Sequence, residues 1–157
     1  MAILIRNGRI VTAAEDFVAD ILVEGDVIQS IGQHLTYPAN AEVIDASGKL
    51  VLPGAIDPHV HLDMPFMGTF SSDDYTSGTL AALHGGTTMV IDFILQTQGD
   101  SLRNALGEWQ RKSEGKACAD YAYHMAVTDF NDETQQEIAP FILEEGIPSF
   151  KTFMAYK

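Results

Sequence analysis

Three side chains in this sequence have the types and surroundings to do chemistry together: His59, His61 and Lys151. The two histidines stand one residue apart in "DPHVHLDMPF", residues 57–66, shortly after Pro53-Gly54. On a strand, positions i and i+2 point to the same face, so both imidazoles would be offered to one ligand. Imidazole nitrogen suits zinc and neighbouring divalent metals. Taken alone, such a pair is as readily packing as ligation. Its place at the C-terminal end of a strand in a βα array, where barrel enzymes build their sites, favours metal. Lys151 lies inside "SFKTFM", a strand otherwise suited to burial. A lysine near a strand end commonly snorkels its ammonium to solvent. An amine drawn out of water is biased instead toward its neutral form. A neutral amine can react with carbon dioxide to give a carbamate, whose two oxygens can bridge two metals. The residues alone leave both readings open.

The elements that would position these groups fall into two kinds. The first fifty residues read as short strands, forming an all-β module of small antiparallel strands. "AILI" and "RIVT" flank Asn7-Gly8, a dipeptide suited to a hairpin turn. "FVADILVE", "VIQSIG" and "AEVIDASGKLVLPG" follow. After Pro53-Gly54 strands and helices alternate. The strands are "AIDPHVHL", "TTMVIDF", "ADYAYHMAV" and "SFKTFMAY", starting near Ala55, Thr87, Ala119 and Ser149. Between them lie three helical stretches. The first has Ser72 as N-cap and Gly85-Gly86 as its stop. The second is capped by Asp100 and carries Leu102, Leu106 and Trp109 on one face. The third is bent or restarted at Pro140. Alternation at this even pitch means βα units and a parallel sheet, either open and doubly wound or half of an eightfold barrel. A complete barrel takes about 250 residues. This chain has 157 and ends at Lys157, directly after the fourth strand, so it is expected to be the N-terminal portion of a longer protein.

Composition narrows the partners. The formal net charge is −13, which repels phosphate backbones and anionic membranes, so neither nucleic acid nor membrane is an expected partner. A single cysteine, Cys118, allows no disulfide within the chain and fits a reducing compartment. The apolar start "MAILI" is interrupted at Arg6, too early for a signal peptide or a membrane span. A cytoplasmic protein is the expectation.

The stretches "GAIDPHVHLDMPFMGT", "AALHGGTTMVIDF" and above all "FKTFMAYK" resemble, in combination, the cyclic amidohydrolases called dihydropyrimidinases and D-hydantoinases. The resemblance runs over essentially the whole chain. It implies a (β/α)8 barrel plus a β-sandwich made from both ends of the chain. Residues 1–52 would then be the N-terminal part of the sandwich, and residues 53–157 the first four βα units. It implies two divalent metal ions, zinc being the usual choice, with His59 and His61 as ligands of the more buried one. Lys151, carboxylated by carbon dioxide, would bridge both. Tyr156 would hydrogen-bond the substrate carbonyl and help stabilise the oxyanion. Met64, Phe66 and Phe153 would fall in loops that shape an apolar pocket for the ring's exocyclic group. The implied reaction is hydrolytic ring opening of a cyclic amide or imide by a metal-bridging hydroxide, giving an N-carbamoyl amino acid. The family's two further histidine ligands and its catalytic aspartate have no counterpart in this chain, so activity would need the C-terminal half. Family members assemble as homotetramers or dimers, and the same is implied here.

Two rival readings remain. Allantoinases and dihydroorotases resemble the chain at the HxH pair, but their pattern continues differently from "HLDMPFMG". Dihydropyrimidinase-like scaffold proteins keep the fold and lose metal ligands, whereas His59, His61 and Lys151 are all present here. Among the remaining polar residues, His84 reads as a helix-end histidine and His124 as mid-strand packing. Asp57 shares the face of the two histidines, and Asp92 ends the second strand near the site.

Overall fold

The computed structural model describes residues 1–155, and the chain divides into two compact units between Pro53 and Gly54. The first unit is one sheet. Strand β1 (Ala2–Val11) pairs antiparallel with β2 (Asp16–Glu24), and β2 with β3 (Val27–Gly32). Strands β4 (Glu42–Asp45) and β5 (Leu50–Val51) pair with β1 in parallel, so the module is mixed rather than wholly antiparallel. Asn7-Gly8 makes no hairpin. It lies within β1, where Arg6 and Asn7 together oppose Asp20 as a bulge. Asn7 takes φ 59°, the left-handed geometry such a bulge can use. Its N–H is satisfied by the Asp20 carboxylate at 2.9 Å, and its side chain reaches Asp45 at 3.1 Å. Long-range carboxylates here outweigh the local turn preference.

The second unit is a parallel four-stranded sheet in the order β11-β10-β9-β6. Its strands are β6 (Ala55–Val60), β9 (Thr87–Leu95), β10 (Asp120–Val127) and β11 (Phe150–Thr152). Helices α1 (Tyr75–His84), α2 (Leu102–Ser113) and α3 (Asp132–Leu143) form the crossovers. The unit is the N-terminal half of a (β/α)8 barrel. Between β6 and α1 a short hairpin intervenes, made of β7 (Pro65–Phe66) and β8 (Thr69–Phe70). Met67 and Gly68 hold φ of 48° and 80°, the two positive values a tight hairpin turn requires. Phe66 therefore sits on a strand rather than in a loop.

Helix ends differ from expectation by one or two residues. Asp74, not Ser72, caps α1, through a reciprocal pair of bonds with Ser77. Ser101, not Asp100, caps α2, while Asp100 accepts from Ser101 N–H and the Asn104 amide. Helix α3 does not restart at Pro140 but runs on to Leu143. Gly85 ends α1 as expected, and His84 is its last residue.

Strand alternation sorts this unit into two faces. Val90 and Ile94 of β9, with Met125 and Val127 of β10, pack in one buried cluster with Tyr75, Leu102, Leu106, Trp109 and Phe141 from the helices. Burying one such large side chain is worth about 1.5–3 kcal/mol. This helix-facing layer is the core. The opposite face is left to other side chains.

Candidate functional site

The inner face of the second sheet gathers nitrogen groups round one aromatic ring. Phe93, on β9, is 8% exposed and touches the rings of His59 at 4.5 Å, His61 at 5.5 Å and His124 at 4.8 Å between centroids. The Lys151 Nζ lies over the same ring at 4.4 Å, and 5.2 Å from that of Phe153. His59 and His61 meet edge to face, with centroids 5.1 Å apart and ring planes at 88°. The same-face expectation for the pair is met even though β6 bulges at His59 and ends at Val60, before His61. Pro58 and His59 together oppose Ile91 of β9, a bulge that interrupts the ladder until Val60 pairs with Asp92. Asp57 shapes this bulge by accepting the His59 backbone N–H at 3.1 Å.

Electrostatics favour neutral imidazole. The His61 pKa is lowered from its ordinary value, chiefly by burial and then by the neighbouring His59 and Lys151, all of which oppose a second positive charge. A neutral ring is the form that binds metal. Two imidazoles are a fitting donor pair for a divalent cation. Among the described residues no group of three or more His, Cys, Asp or Glu side chains converges to hold one.

Next to this cluster opens a cavity of about 670 Å³. His61 and Lys151 contribute to its wall, as do Met64, Phe66 and Phe153; Phe70, Leu95 and Val127 extend the apolar part. The segment that carries Met64 and Phe66 is stitched in place. Asp63 N–H donates to Asp73 O at 2.8 Å, and Met64 N–H to Ser71 Oγ at 2.9 Å. Lys112 reaches from α2 to the Asp63 carbonyl at 2.8 Å, and its Nζ lies 4.2 Å from the centre of the Trp109 ring. Tyr156 lies outside the described residues.

Asp92 does not line the site. Strand β9 continues past it to Leu95, and alternation turns its side chain to the helix layer, where it accepts the Tyr75 hydroxyl at 2.7 Å and the Phe93 N–H at 2.7 Å. Phe93 carried no functional expectation and proves central to the cluster. Its signal was available: it is an inner-face position on the strand beside the HxH strand. His124 is more than packing, since both ring nitrogens have polar partners.

The sequence profile of the amidohydrolase family matches residues 50–143. A D-hydantoinase of Geobacillus stearothermophilus is 50% identical over 157 residues, covering 100% of this chain and 33% of that protein. A dihydropyrimidinase of Rattus norvegicus is 46% identical, over 99% of this chain and 31% of its own length. The crystal structure of dihydropyrimidinase from Brevibacillus agri NCHU1002 superposes with a TM-score of 0.96 at 49% identity, over 100% of this chain and 34% of that one. The chain spans about a third of the length of the relatives it matches. The family profile starts at β5, takes in the strand that presents the histidine pair and runs to the end of the third helix, and by that match the chain belongs to the amidohydrolase family.

Proposed function

We propose that the protein to which this chain belongs hydrolyses the ring amide bond of dihydropyrimidines and 5-substituted hydantoins, releasing N-carbamoyl amino acids. The observation that carries this reading is the gathering of His59, His61 and Lys151 on the Phe93 ring beside an apolar cavity. Similarity to a D-hydantoinase and a dihydropyrimidinase along the whole chain supports it. Residues 1–52 would belong to a β-sandwich and residues 53–157 to the catalytic barrel. The fuller protein would work in the cytoplasm as a dimer or tetramer.

His59 and His61 would hold a divalent metal, with zinc as the first candidate, through neutral ring nitrogens. The Lys151 amine, once it adds carbon dioxide and loses a proton, would contribute carbamate oxygens to a pair of such ions. Metal bound there would supply Lewis-acid polarisation and water activation at neutral pH. The chain's own residues bind and orient. Met64, Phe66 and Phe153 offer apolar surface to the ring's exocyclic group, which leaves the amide edge facing the histidines and Lys151. Tyr156, by resemblance, would donate its phenol to the carbonyl under attack, help worth a few kcal/mol where the charge develops. Overall, water adds across the C–N bond: hydroxyl goes to the carbonyl carbon and a proton to the departing nitrogen.

The test is ring opening of dihydrouracil by the full-length gene product, before and after chelator treatment. Turnover that the chelator abolishes and added zinc restores is the expected result. A metal-loaded protein inert toward dihydrouracil and hydantoins would overturn the substrate assignment. A protein that binds no metal would overturn the reading altogether.

A further inference from the structure

The bulge in β6 sets a problem of backbone accounting. Pro58 and His59 fall out of the β6–β9 register, so the Pro58 carbonyl stands at a break in the ladder. The carbonyl nevertheless has a hydrogen-bond partner within the sheet. The partner found here is not on the neighbouring strand. It is the Nε2 of His124, on β10, at 3.0 Å. The sheet order is β11-β10-β9-β6, so this bond passes over β9 and lies across the face of Phe93. The other ring nitrogen, Nδ1, is bonded to the Ser149 hydroxyl, directly before β11.

The chemistry of the partners assigns the tautomer. A carbonyl oxygen can only accept, so Nε2 carries the hydrogen. A neutral ring then leaves Nδ1 as acceptor for the Ser149 hydroxyl. One imidazole thereby joins the backbone one residue before His59 to the residue two before Lys151. Strands 4.7–4.9 Å apart along a sheet are free to vary their curl. A bond that skips a strand closes a chord across the arc and removes that freedom. What the chord holds constant is the placement of the histidine pair against Lys151.

Resting on the function proposed above, we infer that His124 is a positioning residue: its Nε2–H to the Pro58 carbonyl and its Nδ1 to Ser149 brace the histidine strand against the lysine strand, so that donors from both can meet metal. It touches neither substrate nor the reacting atoms. Its contribution is pre-organisation, of the kind that partners behind metal ligands commonly supply.

The experiment uses the full-length protein and reads zinc affinity by competition with a chelator, together with thermal unfolding. His124→Phe keeps a ring against Phe93 and deletes both bonds. His124→Gln retains an amide N–H able to reach the Pro58 carbonyl. Leu106→Ala, in the helix-facing core, is the control for lost stability alone. The expected result is zinc affinity weakened about 10–100-fold in His124→Phe, substantial recovery in His124→Gln, and unchanged affinity in Leu106→Ala despite a lower Tm. Wild-type affinity in His124→Phe would overturn the inference, as would an equal loss in Leu106→Ala. If His124→Phe does not fold, Ser149→Ala removes one end of the brace alone. A weakened affinity there supports the role, and an unchanged one refutes it. A wild-type protein that binds no zinc would instead bring down the functional reading on which the brace depends.

Discussion

Tyr75→Phe offers the sharpest test of how this half-barrel is held together, because it removes one oxygen between two wholly buried side chains. Tyr75 and Asp92 are both 0% exposed, and the phenol donates to the carboxyl at 2.7 Å. Burial pushes the Asp92 pKa above its ordinary value, while the bonds from Tyr75 and from the Phe93 N–H pull it back down. Burial foremost, then the adjacent carboxyl, raises the Tyr75 pKa as well, so the phenol stays a donor throughout the working pH range. A raised folded-state pKa means the native state holds its proton more tightly than the unfolded chain. The contribution of Asp92 to stability is therefore complete below the unfolded value near 3.8 and is lost as pH rises through the folded value. Deleting the phenol removes a donor that favours the carboxylate, so the folded pKa climbs further and more stability is lost at high pH. A neutral hydrogen bond is worth about 0.5–1.5 kcal/mol and one to a charged group about 1.5–3 kcal/mol. Tyr75→Phe should accordingly cost about 1 kcal/mol at pH 4 and about 2–3 kcal/mol at pH 8. Urea unfolding of wild type and variant at the two pH values measures this, and the difference between the proteins cancels the titration of every other carboxylate. A cost that is equal at both pH values, or larger in acid, would refute the coupling.

Three further outcomes follow from the same geometry. Lys151→Ala should abolish dihydrouracil turnover and lower the bound metal measured by elemental analysis; an active variant with two metals would remove the lysine from the site. Gly54→Ala places a Cβ 2.1 Å from Thr88 Oγ1 and 2.7 Å from Thr88 Cβ, where β6 begins beside β9. Overpacking of that kind costs about 1–3 kcal/mol, read as a lower urea midpoint with an unchanged slope. Met67→Asn puts a residue tolerant of positive φ at the exposed tip of the β7–β8 turn, where Met67 holds 48°. It should stabilise the hairpin by up to about 1 kcal/mol, visible as slower amide exchange at Phe66 and Thr69, the pair that closes the turn.

Periodicity and punctuation made the βα alternation legible before any coordinates. The expected strand starts at Ala55 and Thr87 coincide with those observed, and the other two lie within one residue. Those signals are local: apolar runs of strand length, glycines that stop helices, and leucines at helical spacing. The cap at Ser101 in place of Asp100 shows the limit of such reading, since both residues can cap and only the backbone path chooses between them. The HxH pair and the lysine at a strand end were legible for the same reason, as residue types at a stated offset on a strand.

What tertiary structure alone decided is everything that depends on contact between residues distant in the chain. Asn7-Gly8 has hairpin chemistry, yet it forms a bulge because Asp20 and Asp45 arrive to satisfy it. Asp92 was placed near the site by its position late in the second strand, and Tyr75, 17 positions away, takes its carboxyl for the helix layer. Phe93 and His124 came beside the histidine pair only when β10 lay against β9 and the His124 ring met a carbonyl 66 residues away. Sequence patterns fix which face of an element a residue occupies, because backbone geometry repeats every few residues. Which partner waits on that face depends on how the sheet curls, and no local period encodes that.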